Sequence, residues 1–402
     1  MEYDLVFEGG GAKGMVFAGA LQEFEERGHT VGRVMGTSAG AITATGIAAG
    51  YSAAEVLDAL TEEKDGEPIF VSFLGTPDAF TDEEIEESVT RALLRAIDVP
   101  LLPEAAERRL EDRLLSALMR HPRSRHVFSF VERGGWYTAD AFVTWLERRL
   151  DTGTFQGEPR NFSGMTMAEF FEATGRHLSL IAADTSANRL LVLNRRTAPD
   201  LPVVWATRMS MSFPLLWPEV VWKPSWGTYL EQPMDGHLIV DGGLLSNFPI
   251  ELFISPEPHV TEMMGPKEHA NVVGFLIDES LPVEDASQPS PADSGTFSLG
   301  RLPTVQRIQR LVDTATQAHD KMVIEAFEYV VCRLPAKGYG TTEFDMSEER
   351  REALIAAGRQ AAATYFNALE GEADLVERST RASALEMAME KANRIASDML
   401  RP

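Results

Sequence analysis

The sequence predicts an α/β protein of three layers, with a mostly parallel central sheet between helices. Two observations carry this. Residues 1–50 read strand, glycine loop, helix, strand, tight turn, helix, the βαβα order that produces parallel neighbours. Further on, apolar runs of strand length at 178–183, 190–194, 238–240 and 271–278 are interleaved with segments of helical pattern.

The first run, Leu5-Val6-Phe7, ends in Gly9-Gly10-Gly11-Ala12-Lys13-Gly14, and residues 15–26 follow as a helix. Three consecutive glycines bring bare backbone N–H groups to a ligand, and Lys13 adds a cation. Gly9, Gly11 and Gly14 also satisfy G-x-G-x-x-G. A dinucleotide site would want an acidic residue about 20 positions on, where the second strand ends. That strand, 31–35, instead runs into Gly36-Thr37-Ser38-Ala39-Gly40. This turn fits a nucleophile elbow, G-x-S-x-G, in which small neighbours let Ser38 project at a helix N-terminus. Alone the motif is common. Beside a loop of glycine N–H groups able to hold an oxyanion, it points to acyl transfer.

Residues 52–160 are acidic and helical, with little strand signal. Helices are expected at 82–97, from Pro103 through Leu118, and from Thr138 through Leu150. The block reads as an insertion over one end of the sheet, either a lid or ordinary helical packing. Phe70, Phe73, Leu74 and Phe80 lack helical spacing and read either as a membrane-docking patch or as a plug between insertion and sheet.

Thr166-Met167-Ala168-Glu169 is a capping box opening a helix that ends near Gly175. The runs at 178–183 and 190–194 form a hairpin. Pro202 opens a helix through Met211 whose methionines read as core or as walls for a flexible acyl chain. The strand 238–240 ends in Asp241-Gly242-Gly243, which by spacing alone is a turn signal or a carboxylate held in a tight loop. After the strand 271–278, residues 279–300 read as a mobile loop. A helix at 303–327, a strand at 329–334, a helix at 347–370 and a charged helical tail at 374–399 complete the chain.

Composition narrows the function. The chain has 402 residues, 44% of them hydrophobic, and carries 37 basic against 61 acidic side chains, a net charge of −24. That balance excludes a dominant basic face for nucleic acid and disfavours purely electrostatic docking on anionic lipid. The single cysteine, Cys332, reads as a small buried hydrophobe and rules out an internal disulfide. A strand begins almost at once, so no signal peptide is expected, and no apolar stretch is long enough to span a bilayer. The expected location is cytoplasmic, with peripheral contact to membranes.

With the glycine loop, the elbow and Asp241-Gly242-Gly243 together in this order, the chain resembles the patatin-like phospholipases. The stretch from Ala206 to Pro218 resembles that family's helix of small residues followed by proline and an aromatic. Thr341-Thr342-Glu343-Phe344-Asp345 resembles its C-terminal end. The resemblance covers roughly residues 3–370, is strongest at the three motifs and is vague across 52–160. It implies one patatin-like domain over 1–370 followed by a tail at 371–402. It also implies a lipid acyl hydrolase with a Ser-Asp dyad: Ser38 as nucleophile, Asp241 as base, and Gly9, Gly10 and Gly11 as the oxyanion loop. Lys13 stands where many relatives have Arg and is expected to touch substrate. Phospholipid or another lipid ester at a membrane or micelle surface is the expected partner. No metal and no cofactor are expected, and a protein activator is left open. The rival enzyme is an α/β-hydrolase with a Ser-Asp-His triad, for which His259, His269 and His319 follow Asp241 in the required order. A third reading is an interaction module with an inactive hydrolase core.

Overall fold

The computed structural model describes residues 1–96, 113, 115–266, 271–287, 327–371, 393 and 395. Strand β1 (Glu2–Phe7) leads through a 3-10 turn into α1 (Val16–Glu26), and β2 (Thr30–Thr37) leads through Ser38 into α2 (Ala39–Ala48). Helices α3 (Ala53–Leu60), α4 (Ile69–Ser72), α5 (Asp82–Glu87), α6 (Val89–Ala96), α7 (Pro122–Glu132) and α8 (Asp140–Leu150) follow. Then come α9 (Met167–Thr174), the hairpin β3 (Leu178–Asp184) and β4 (Arg189–Leu193), α10 (Val203–Ser210), and strands β5 (Val220–Val221) and β6 (Leu238–Asp241). Short helices α11 (Glu251–Ile254) and α12 (Pro258–Met264) precede β7 (Val272–Pro282), β8 (Val331–Lys337) and the long α13 (Glu348–Gly371).

The eight strands form one sheet. Neighbours in the order β8-β7-β1-β2-β3 are all parallel, and β4, β5 and β6 join antiparallel. Side chains alternate between two apolar clusters, as a pleated strand requires. Leu5 and Phe7 of β1 belong to the larger one, with α1, α2, α3, α8 and α13. Val6 and Met35 face the smaller one, with Phe248, Ile250, α11 and α12. Helices therefore cover both faces, and the expected three-layer α/β fold with a mostly parallel sheet is the observed one.

The register of β3 brings two distant strands together. β2 pairs with its first half, Thr37 opposite Ile181, and β6 pairs with its second half, Asp241 opposite Ala182. β4 pairs with residues 180–184 and so occupies the other edge. β2 and β6 must then share one edge of β3, running toward each other and meeting carboxyl end to carboxyl end. That junction is where Ser38 and Asp241 lie.

Several expected elements hold: the Thr166 capping box with Gly175 as left-handed cap, the 178–194 hairpin, and the helix beginning at Val203. Others are corrected. The helix expected at 82–97 breaks at Ser88, whose hydroxyl donates to the Ile85 carbonyl (2.9 Å) and accepts from the Arg91 N–H (3.2 Å). A serine hydroxyl offers the backbone such an alternative to helical bonding, and the Glu132 carboxylate takes the freed N–H groups of Val89 and Thr90. Residues 52–160 also hold two short hairpins, at 63–68 and 154–159. The strand expected to stop at 278 continues to Pro282, so the loop placed at 279–300 starts later; its part from 288 onward lies outside the described residues. So do the helix expected at 303–327 and all of the tail but Asn393 and Ile395. Asn393 accepts a hydrogen bond from Ser255, and Ile395 packs against the smaller cluster.

Candidate active site

Ser38 sits at φ 53°, ψ −120°, a left-handed conformation that costs a non-glycine residue energy. The surroundings enforce it. A Cβ at Gly40 would lie 2.3 Å from the Phe7 carbonyl oxygen, and one at Gly36 would lie 2.2 Å from that of Gly40. Only glycine lets α2 start this close to β1, and the sharp turn follows. The Ser38 N–H donates to the Ser210 hydroxyl (3.1 Å), which donates to the Ile181 carbonyl (2.5 Å), tying the turn to β3.

Asp241 is 2% exposed. Its carboxylate accepts a hydrogen bond from the Gly243 N–H (2.8 Å), and the Ser38 hydroxyl lies close enough to favour its ionised form. Burial pushes its pKa up to about 7 from an ordinary 3.8, against the downward pull of the Ser38 hydroxyl and the Gly243 N–H. Its own N–H donates to the Ser212 carbonyl (3.0 Å). The short Ser210–Ser212 stretch at the end of α10 thus holds both residues. Arg208 braces that stretch, with hydrogen bonds to the Ser212 hydroxyl and the Pro218 carbonyl (3.1 Å); burial lowers its pKa to about 10.

The three loop glycines divide their tasks. The Gly9 N–H is taken by the Asn247 carbonyl (3.2 Å), while the Asn247 amide donates to the Gly9 carbonyl (2.8 Å) and to Glu8 (3.2 Å). Gly9 therefore fastens the loop to the turn after Asp241. The N–H groups of Gly10, Gly11 and Ala39 have no partner among the described residues, and Gly11 and Ala39 line the cleft beside Ser38. Gly11 has φ +54°, and a Cβ there would fall 2.1 Å from the Thr341 carbonyl oxygen. Lys13 is 4% exposed and its ammonium is committed to Glu279 at the surface, an ion pair away from the lining of the cleft. A buried cation needs such a counter-charge.

The cleft at Ser38 is apolar, with about 690 Å³ of empty space counting its open mouth, walled by Phe70, Phe73, Met211, Trp217 and Phe344 among others. Phe73 is 2% exposed, packs edge-on against Phe70 and Phe142 (5.3 Å each), and its carbonyl accepts the Trp217 indole N–H (3.0 Å). Phe80 is buried in a separate small cluster with Ile85, Leu115 and Met119, and Leu74 packs against the main core. The docking-patch reading of Phe70, Phe73 and Phe80 is therefore overturned: Phe70 and Phe73 plug the space between insertion and sheet, Phe80 is buried within the insertion, and Leu74 is half-buried against the main core. Met209 is core, while Met211 is buried and also lines the cleft.

Sequence reasoning assigned no role to the segment 338–346. Thr341, Thr342 and Phe344 wall the cleft, and the Thr341 carbonyl accepts the Ala12 N–H (2.9 Å), holding the glycine loop from outside. Arg350, 2% exposed, clamps the segment through Glu343 (2.7 Å), the Gly338 carbonyl (2.9 Å) and the Tyr339 ring (4.1 Å). Neither described histidine beyond residue 200 lines the cleft: His237 lies 2.8 Å from Asp184, and His259 is on α12. His269 and His319 lie outside the described residues.

A serine on a left-handed strand-to-helix turn faces an apolar cleft at the carboxyl ends of parallel strands, the geometry of a nucleophile elbow. The patatin-like phospholipase family model matches residues 5–254. The chain belongs to the patatin-like phospholipases, a family of lipid hydrolases. The uncharacterized protein YqhO of Bacillus subtilis (strain 168) is 29% identical over 370 residues, 90% of this chain and 96% of YqhO. Among solved structures, VipD from Legionella pneumophila is 16% identical over 91% of this chain and 67% of that chain, with a TM-score of 0.47. The type III effector ExoU is 16% identical over 98% of this chain and 60% of that chain, with a TM-score of 0.39. No helix among the described residues is long and apolar enough to cross a membrane.

Proposed function

We propose that this protein hydrolyses fatty acyl esters of lipids, as a phospholipase A or lysophospholipase, through a Ser38–Asp241 dyad. The observation that carries the reading is the junction of β2 and β6, which sets Ser38 beside the buried Asp241 carboxylate at the wall of an apolar cleft. Asp241 takes the Ser38 proton as Oγ attacks the ester carbonyl. The N–H groups of Gly10, Gly11 and Ala39 receive the oxyanion. Asp241 returns the proton to the leaving alcohol, and the acyl group stays on Ser38. Water then gives a proton to Asp241 and attacks the acyl carbonyl; the bond to Ser38 Oγ breaks, Asp241 returns the proton to Oγ, and the fatty acid leaves.

A carboxylate near pKa 4 is a weak base, and burial supports the assignment by raising Asp241 to about 7. The apolar walls suit an acyl chain. Lys13, paired with Glu279, is assigned to loop stability, and Gly9 to loop anchoring. The substrate is met at a membrane or micelle surface.

The test combines fluorophosphonate labelling with a phospholipid and lysophospholipid panel read by mass spectrometry. Ser38→Ala should abolish labelling, and both Ser38→Ala and Asp241→Asn should abolish release of fatty acid. The double variant should be no worse than either single one, because the two act as a unit. Near wild-type turnover in Asp241→Asn would refute the dyad. Loss of activity on replacing His259, His269 or His319 would establish the triad instead.

A further inference from the structure

A second apolar cleft lies farther along α2, with about 380 Å³ of empty space counting its mouth. It shares Ile42, Thr43 and Leu60 with the cleft at Ser38, so the two are one layer of side chains apart. The α2 residues involved are Ala39, Ile42 and Thr43 in the first cleft and Ile42, Thr43 and Gly46 in the second. Spacings of three and four put these on one helix face. That face begins beside Ser38 and runs the length of both clefts.

Gly46 is unusual on this face. Glycine inside a helix is destabilising relative to alanine. No backbone neighbour requires it here: an added Cβ would meet only the Tyr51 ring at 3.8–3.9 Å and Val56 at 4.0 Å, ordinary contact distances. What the missing side chain leaves is room in the second cleft. The polar residues of that cleft are already paired. Tyr51 donates to the Arg149 carbonyl (2.5 Å), the Arg149 guanidinium is held by Asp58 (2.8 Å) and Glu62 (2.5 Å), and Thr43 leans on the Ala39 carbonyl (3.4 Å). A hydrocarbon entering there breaks no hydrogen bond.

We propose that the second cleft receives the distal part of a long acyl chain whose ester lies at Ser38, with Leu60 as the sill between the two. The inference rests on the proposed role of Ser38. Lengths agree with it. From Ala39 to Gly46 the helix rises about 10 Å, at about 1.5 Å per residue. An extended chain of single bonds of about 1.5 Å advances about 1.3 Å per methylene, so Gly46, in the second cleft, lies roughly eight carbons from the ester. The site thus favours long acyl chains, and short ones never reach residue 46.

The experiment compares wild-type protein with Gly46→Ala and Gly46→Leu on p-nitrophenyl butyrate and p-nitrophenyl palmitate in detergent micelles. The readout is the palmitate-to-butyrate ratio of kcat/KM, which cancels differences in the amount of folded enzyme. Gly46→Leu should lower the ratio about tenfold or more, and Gly46→Ala about twofold, the scale on which apolar pockets discriminate. The alanine variant keeps the test decisive if the leucine variant does not fold, since its Cβ makes only ordinary contacts. A ratio that ignores residue 46 in the folded variants overturns the second cleft and leaves the hydrolase reading intact. A wild-type protein inert on both esters overturns the hydrolase reading, and this inference with it.

Discussion

Asp241→Asn should do two opposite things: remove catalysis and make the protein relatively more stable as pH rises. The folded carboxyl titrates at about 7 and an ordinary one at 3.8. Between these values the folded protein holds a proton that the unfolded chain has released. Stability that is fully present below pH 3.8 is therefore lost progressively until pH passes 7. Each pH unit in that window costs about 1.4 kcal/mol. The carboxyl is only 2% exposed, so solvent does little to soften the effect. From pH 5 to pH 8.5 the wild type crosses about two units of the window, and Asp241→Asn should gain about 3 kcal/mol on it. Asparagine has its own packing cost, but that cost does not vary with pH and drops out of the difference. Other titrating groups act alike in both proteins. Urea unfolding at the two pH values measures the gap. In parallel, wild-type kcat/KM should rise to a plateau through about pH 7 as the base deprotonates. A stability gap that stays constant across this range would refute the buried, proton-holding carboxyl and the base assigned to it.

The remaining predictions test the frame around the dyad. Gly11→Ala should lose about 10²-fold or more in kcat with little change in KM, because an oxyanion donor is displaced. Gly10→Ala should lose less, since its Cβ would meet only the movable end of Ile277, and equal losses would contradict the loop geometry. Arg350→Met should cost about 3–5 kcal/mol in urea unfolding, by stranding Glu343, and should lower kcat through the loosened Thr341 segment. Arg350→Lys should not restore either, because an ammonium cannot span Glu343 and the Gly338 carbonyl together. Phe73→Ser should destabilise the protein by about 3–5 kcal/mol and reduce hydrolysis of soluble and micellar esters alike; normal stability with a loss confined to micelles would restore Phe73 to the surface.

The elbow and the glycine loop were legible because their geometry is local. Two glycines around Ser38 encode a turn that nothing else in the neighbourhood could make, and a reader needs only five residues to find it. The partner of Ser38 is a different kind of fact. Asp241 becomes its neighbour through the register of β3, whose adjacent residues Ile181 and Ala182 pair with Thr37 and Asp241. No periodicity in 238–243 announces that register, and only the resemblance singled the aspartate out from an ordinary turn. The clamps were not visible at all. Asn247 and Ser210 act on residues 238 and 172 positions away, and Arg350 gathers a guanidinium's worth of contacts in one loop; neither kind leaves a pattern in composition or spacing.

Phe70 and Phe73 stand three apart on the one-turn helix α4 and its cap, buried under α8 and against Trp217, and Phe80 lies in a small separate cluster. A single turn shows no period, so the sequence leaves docking patch and plug both open. Lys13 shows the same limit for charge. A cation in a glycine loop invites the thought of an anionic ligand, yet the turn carries it inward, where an unpaired ammonium would be costly. Glu279, one residue beyond the fully buried part of β7, supplies the counter-charge from a position 266 residues away. Motifs state which conformation a few residues adopt. Which side chain then faces the substrate depends on what the rest of the chain brings to the same place.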